Sequence, residues 1–270
     1  MTGGTTSESG AVATSALQIS LLGGARVRWR GEPLRVPRRQ VRALLFRLAG
    51  TMEPCPRDRL CHLFWLDRPE PAARRRLTIL LSHLRRALPD SGLLVLRGDR
   101  VGLDPRRATS DCIAFAELAD VQGRTESLTE AAELYRGPFL AGFSLPHSAE
   151  FETWVLQQRR THEQLYLDVL SALIERQAAQ GHLGLAIDYA RRYLATDDLA
   201  EGVHRRLIGL YVRVGNRSAA MRQFERCAAV LERELGVRPL PETRAVYERV
   251  LEDRPTAVTA GPKLLSAPLA

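Results

Sequence analysis

Apolar residues along this chain follow two different rhythms. From Leu17 to Trp29 they come in short runs, LQISLL and ARVRW, separated by Gly23-Gly24, which predicts two strands joined by a turn. Arg30-Gly31-Glu32 then turns the chain into Leu34-Arg35-Val36. After Pro37 the spacing changes to three and four. Val41, Leu44, Leu45 and Leu48 predict a helix that Gly50 ends, and Leu60, Cys61 and Phe64 predict a second over Arg57–Trp65. A third follows from Pro71, with Leu77, Leu81, Leu84 and Leu88 on one side and Ala73 extending that stripe. Pro89-Asp90-Ser91-Gly92 stops it. The runs LLVLR and RVGL around Gly98-Asp99 then predict a hairpin.

Beyond the connector Asp104-Pro105-Arg106-Arg107 the helical rhythm takes over. Asp111 is the expected N-cap of one helix, Ser127–Tyr135 covers another, and Arg136-Gly137-Pro138 breaks the chain before the apolar loop Phe139–Phe143. A long helix is predicted over Ser148–Gln180. Leu173, Gly181, Ala186 and Ala190 recur 34 residues later as Leu207, Gly215, Ala220 and Phe224. That period belongs to tetratricopeptide-like helix pairs. With two copies, flanking helices must cap the stack, the last one at Glu242–Leu251. The predicted fold is mainly α: an N-terminal winged helix-turn-helix of mixed α+β type, then an all-α tetratricopeptide-like repeat domain. The expected boundaries are a tail at 1–16, the winged helix at 17–104, the helical domain at 105–254 and a second tail at 255–270.

Charge separates the two parts. Residues 1–110 hold 20 arginines against 9 acids, and residues 111–270 hold 19 basic residues against 22 acids. The first part is built for a polyanion, and its basic residues lie on patterned helices and a hairpin, which fits nucleic acid better than a membrane surface. On the third helix, Arg75, Ile79, Ser82 and Arg86 fall opposite the leucine stripe, with Arg76, Thr78 and His83 on the flanks. Arg75, Thr78, Ile79 and Ser82 are therefore the expected base readers in a DNA major groove. Arg38, Arg39, Arg76, Arg86, Arg97 and Arg100 surround that face and are the expected contacts to the DNA backbone. Arginines at the start of the first helix oppose its macrodipole, which a phosphate partner would relieve.

Other chemistry is not expected. Cys55, Cys61, Cys112 and Cys227 are scattered and contain no CxxC pair, so buried thiols are expected rather than a metal site or a disulfide framework. The six histidines are dispersed, no nucleophile–base pairing is recognisable, and no run of about 18 apolar residues occurs. No enzyme activity, cofactor, metal or membrane partner is expected, and the expected location is cytoplasmic.

Residues 17–104 resemble the winged-helix domain of OmpR-type regulators, most visibly in LTILLSHLRRAL at Leu77–Leu88. Residues 111–252 resemble the bacterial transcriptional activator domain, through LYRGPFLAGF (Leu134–Phe143), FETWVLQQR (Phe151–Arg159) and ERELGVRPLPETRAVYERVL (Glu232–Leu251). The pairing, over about nine-tenths of the chain, is that of the Streptomyces antibiotic regulatory protein family. The resemblance implies a transcriptional activator that binds tandem direct repeats of double-stranded DNA as a homodimer and contacts RNA polymerase, with secondary metabolism a frequent target. Some relatives continue into a P-loop ATPase. No GxxxxGK[ST] motif occurs in these residues, so that module is not expected here, and neither is the phosphorylatable receiver domain that OmpR-type proteins proper carry. Where an OmpR-like helix often reads Asp-Val-His-Ile-Ser-Arg, this chain reads Thr78-Ile79-Leu80-Leu81-Ser82-His83, so the base preference is its own. The rival expectations are a helical-repeat adaptor whose winged helix meets proteins, and a repressor that occludes a promoter.

Overall fold

A computed structural model describes residues 16–252. The tail expected at 255–270 lies outside that range, as does all but Ala16 of the tail expected at 1–16. The chain divides into two compact units between Leu173 and Ile174.

The first unit starts with β1 (Leu17–Ser20) and β2 (Arg26–Trp29), paired antiparallel with Leu17 opposite Trp29 and Ile19 opposite Val27. Alternation buries Leu17 and Ile19 and leaves Gln18 and Ser20 half-exposed. The short β3 (Glu32–Pro33) follows a turn in which Arg30 and Gly31 both have positive φ, as a two-residue hairpin requires. The strands are shorter than the apolar runs predicted. The reason is a distant side chain: the backbone N–H groups of Leu21 and Leu22 donate to the Asp111 carboxylate, at 2.6 and 3.3 Å, and so leave the ladder. Leu22 and Gly24 then bridge to Phe139 and Ala141.

Helix α1 (Arg39–Ala49) buries Val41, Leu44, Leu45 and Leu48 as expected, and Ala43, Phe46 and Ala49 as well. Gly50 does not terminate it by a left-handed cap, since its φ is −66°. A Cβ there would come 3.0 Å from Trp154 Cζ2, so the glycine serves close packing. β4 (Cys55–Pro56) precedes α2 (Arg57–Trp65), which buries the expected Leu60, Cys61 and Phe64. Helix α3 (Glu70–Ala87) leads through a 3-10 turn into β5 (Leu94–Arg97) and β6 (Arg100–Leu103). The hairpin is the predicted one, with β4 added on its other edge in the order β4-β6-β5.

β7 (Ala108–Ser110) pairs parallel to β1 and completes a sheet ordered β3-β2-β1-β7. Helices α4 (Asp111–Leu118) and α5 (Thr125–Leu134) follow, then α6 (Ala149–Ala179). Asp111 is not the N-cap: Ser110 holds that position without a side-chain bond, and the carboxylate reaches back to β1's end. Burial raises its pKa, against the pull of those two hydrogen bonds. An aromatic cluster seals α1 and α2. Phe46 meets Phe143 edge-on at 5.1 Å, Phe64 stacks on Phe151 at 5.8 Å, and Phe139 meets Trp154 at 5.4 Å and 90°. The Arg47 guanidinium lies over the Trp154 ring at 5.2 Å.

The second unit carries α7 (Leu183–Thr196), α8 (Glu201–Arg213), α9 (Arg217–Leu235) and α10 (Pro241–Glu252). The 34-residue period is visible in the backbone. His182 N–H donates to Gln177 O (2.9 Å) and Asn216 N–H to Tyr211 O (2.8 Å), beside Gly181 and Gly215, both with positive φ. Helix α10 packs on α8 and α9 as the expected cap, with Tyr247 stacked on Phe224 at 4.0 Å.

His204 is fully buried between the Asp198 carbonyl, 3.0 Å from Nε2, and the Gln223 amide, 2.6 Å from Nδ1. A neutral ring donates to the first and accepts from the second. Burial holds its pKa below the usual value, and His162, buried against Phe139, is shifted the same way. Both stay neutral in the folded chain when the unfolded chain begins to bind protons, near pH 6.5. The stability these two rings contribute is therefore fully present above about pH 6.5 and is lost as pH drops below it. Urea denaturation of His204→Gln is expected to show a shallower decline between pH 7.5 and 5.5 than the natural chain, and equal slopes would contradict this assignment.

Candidate nucleic-acid interface

Helix α3 is held by one side and open on the other. Ala73, Leu77, Leu80, Leu81 and Leu84 are buried, and Leu80 widens the predicted stripe. Opposite them Arg75, Thr78, Ile79, Ser82 and Arg86 are all exposed, Ile79 by 57%. Ile79 thus adds one apolar contact surface to a face that is otherwise basic and polar. Thr78 Oγ1 donates to Arg74 O at 3.0 Å, so its methyl and its lone pairs are what it offers outward.

Each flank of α3 is tied to a neighbour. On one side Arg38, at the N-cap of α1, lies 3.0 Å from the His83 ring, which brings the start of α1 beside the middle of α3. Arg39 lies over the Phe143 ring at 5.9 Å, and Arg39 and Arg76 border the same cavity, of about 680 Å³. No acidic residue occupies the first turn of α1, so its N-terminal N–H groups and its arginines present one sign of charge.

On the other flank Arg74 bonds Glu70 Oε1 (2.9 Å) and Asp58 Oδ1 (2.5 Å), and reaches within 4.0 Å of Asp99 at the hairpin turn. The Arg57 N–H also donates to Asp99 O, at 2.9 Å. Arg74 thereby links α2 to α3 and lies beside the hairpin tip, which the Arg57 N–H holds directly. Sequence patterning missed this role, because Asp58 and Asp99 are distant in sequence. Within the tip Arg97 and Arg100 are paired across the turn and exposed, and Arg100 spends one Nη on Pro54 O at 3.2 Å. At the hairpin's base Arg107 is ion-paired to Asp90, holding that carboxyl below the usual range, and the Asp90 carboxylate also accepts from Gly92 N–H at 2.8 Å.

Other chemistry finds no comparable assembly. Cys55, Cys61, Cys112 and Cys227 are free and buried, and burial pushes the Cys112 thiol up to about 12. Among the described residues no group of His, Cys, Asp and Glu is placed to hold a metal, and no helix is long and apolar enough to cross a membrane.

A basic winged helix is carried here with a helical-repeat segment, and the family to which the chain belongs is one of transcriptional regulators. The sequence profile of the bacterial transcriptional activator domain matches residues 106–251, and the chain belongs to that family, among the Streptomyces antibiotic regulatory protein type of regulators. It is 28% identical over 265 residues to the transcriptional regulatory protein MoaR1 of Mycobacterium tuberculosis, spanning 91% of this chain and 82% of that one. It is also 28% identical over 256 residues to the regulatory protein AfsR of Streptomyces coelicolor, spanning 90% of this chain but 25% of that longer one. The solved structure of Mycobacterium tuberculosis EmbR, in complex with a low affinity phosphopeptide, shares the fold. Its TM-score is 0.65 at 24% identity, covering 89% of this chain and 66% of that one.

Proposed function

We propose that this chain is a sequence-specific activator of transcription that reads double-stranded DNA through α3. The observation that carries the reading is the open face of α3, where Ile79 stands exposed among Arg75, Thr78, Ser82 and Arg86. A helix fits the major groove, arginine pairs with guanine edges, and apolar groups meet the thymine methyl. Residues 17–104 supply the DNA-contacting surface, and residues 105–254 supply contacts to RNA polymerase and to a second copy of the chain. A homodimer on tandem repeats roughly 10–11 bp apart would place both copies on one side of the duplex. The protein works in the cytoplasm.

Selection of bound fragments from random duplex DNA by the full chain tests the reading. Enrichment of a short repeated motif is the expected result. Binding without enrichment, lost with added salt, would reduce the face to a nonspecific polyanion surface.

Arg38, Arg39, Arg76, Arg86, Arg97 and Arg100 are assigned to phosphates. Replacing Arg86 or Arg97 by Gln is expected to weaken selected and random duplexes alike and to lower the log–log salt slope by about 1. Unchanged slopes for both would displace the docking face.

A further inference from the structure

β2, the segment leading into α1, and the loop at residues 141–143 enclose an open cavity of about 730 Å³, away from the α3 face already assigned. That volume is typical of small-molecule sites. Its lining combines apolar side chains, Val27, Phe46 and Phe143 among them, with three arginines, Arg26, Arg35 and Arg42. No carboxylate lines it, and among the described residues none of these arginines has an ion-pair partner. Like charges gathered in one concavity without counter-charge create a positive potential that an anion relieves. Arg42 is the best-placed of the three. Its guanidinium lies over the Phe143 ring at 5.6 Å, and its Nε is buried with no hydrogen-bond partner. Buried donors are nearly always satisfied, so the Arg42 side chain is left with hydrogen-bonding capacity that a small shift of its guanidinium toward an anion in the cavity would fill.

We propose that this cavity binds a small amphipathic anion, a carboxylate or phosphate ester on an apolar body about the size of a fused ring. The body rests on the half-exposed Val27 and Leu34, and the anionic group sits among Arg26, Arg35 and Arg42. The cavity is too small for a duplex, and this site does not depend on the DNA-reading role of α3. Because one wall is the loop that bridges Ala141 to Gly24, a ligand selective for the folded chain also raises its unfolding midpoint.

Calorimetric titration of the full chain with 1-naphthyl phosphate, 1-naphthol and inorganic phosphate tests this. The expected Kd for the naphthyl ester is below about 1 mM, with both comparators at least about tenfold weaker. Arg42→Gln and Arg35→Gln are each expected to weaken the ester about tenfold or more. Arg35 is exposed, so its replacement tests the site even if the Arg42 variant folds poorly. The Arg42 Nε–H resonance of the natural chain should move on titration. Equal binding of naphthol, equal binding of inorganic phosphate, indifference to Arg35→Gln, or no binding at all would each overturn the proposal. Displacement of the ester by duplex DNA would assign these arginines to DNA and overturn it too.

Discussion

A chain cut after Asp104 is expected to lose cooperative folding, although it keeps all three helices and the hairpin of the winged helix. The cut removes β7, the parallel neighbour of β1, and the Asp111 carboxylate that holds the N–H groups of Leu21 and Leu22. It also removes Phe139 and Phe151, each fully buried, together with Phe143 and Trp154, which cover α1 and α2. A Phe→Ala change in a core costs about 3–5 kcal/mol, and a domain's whole stability is about 5–15 kcal/mol. Phe151→Ala in the full chain alone should therefore destabilise by about 3–5 kcal/mol. Urea denaturation followed by circular dichroism decides the matter. A fragment of residues 1–104 that unfolds cooperatively near the natural midpoint, or a Phe151→Ala cost below about 1 kcal/mol, would show that the winged helix stands without support from residues beyond Asp104.

That dependence marks the limit of what the sequence makes legible. Elements driven by local periodicity are readable nearly to the residue: α2 ends where the Leu60, Cys61 and Phe64 pattern places it, and Gly98-Asp99 turns the hairpin. The 34-residue repeat is readable because two copies share one turn chemistry at Gly181 and Gly215. Non-local pairings leave no such trace. β4 and β7 are two and three residues long, too short for a period, and each exists because a distant strand offers it a ladder. Asp111 reads as a helix cap by type and position, but its oxygens serve two amides about ninety residues away. In the candidate interface the outward face follows from angles of about 100° per residue. The tie from Arg74 to Asp58 and Asp99 does not, since charges carry no record of which opposite charge the fold brings near.

Arg75→Ala is expected to weaken the selected DNA site by about 1–3 kcal/mol, roughly 5- to 150-fold, while leaving random duplex almost unaffected. Arg75 is exposed at the N-terminal end of the outward face, on the helix that Leu77, Leu80, Leu81 and Leu84 anchor, so its loss does not disturb the core. Its guanidinium can pair with a guanine edge, and that contact, unlike one to phosphate, depends on the base present. Ile79→Ala, one turn on, removes apolar contact without removing charge. It should cost less, and its penalty should vanish when thymine at the contacted position is replaced by uracil, which lacks the methyl. The two variants thus probe different parts of one readout, and binding measured at fixed salt on selected and random duplexes separates them. Equal losses on both duplexes for Arg75→Ala would make that residue a phosphate clamp. An Ile79→Ala penalty that survives the uracil duplex would take Ile79 off the base edge and leave its exposure to another partner.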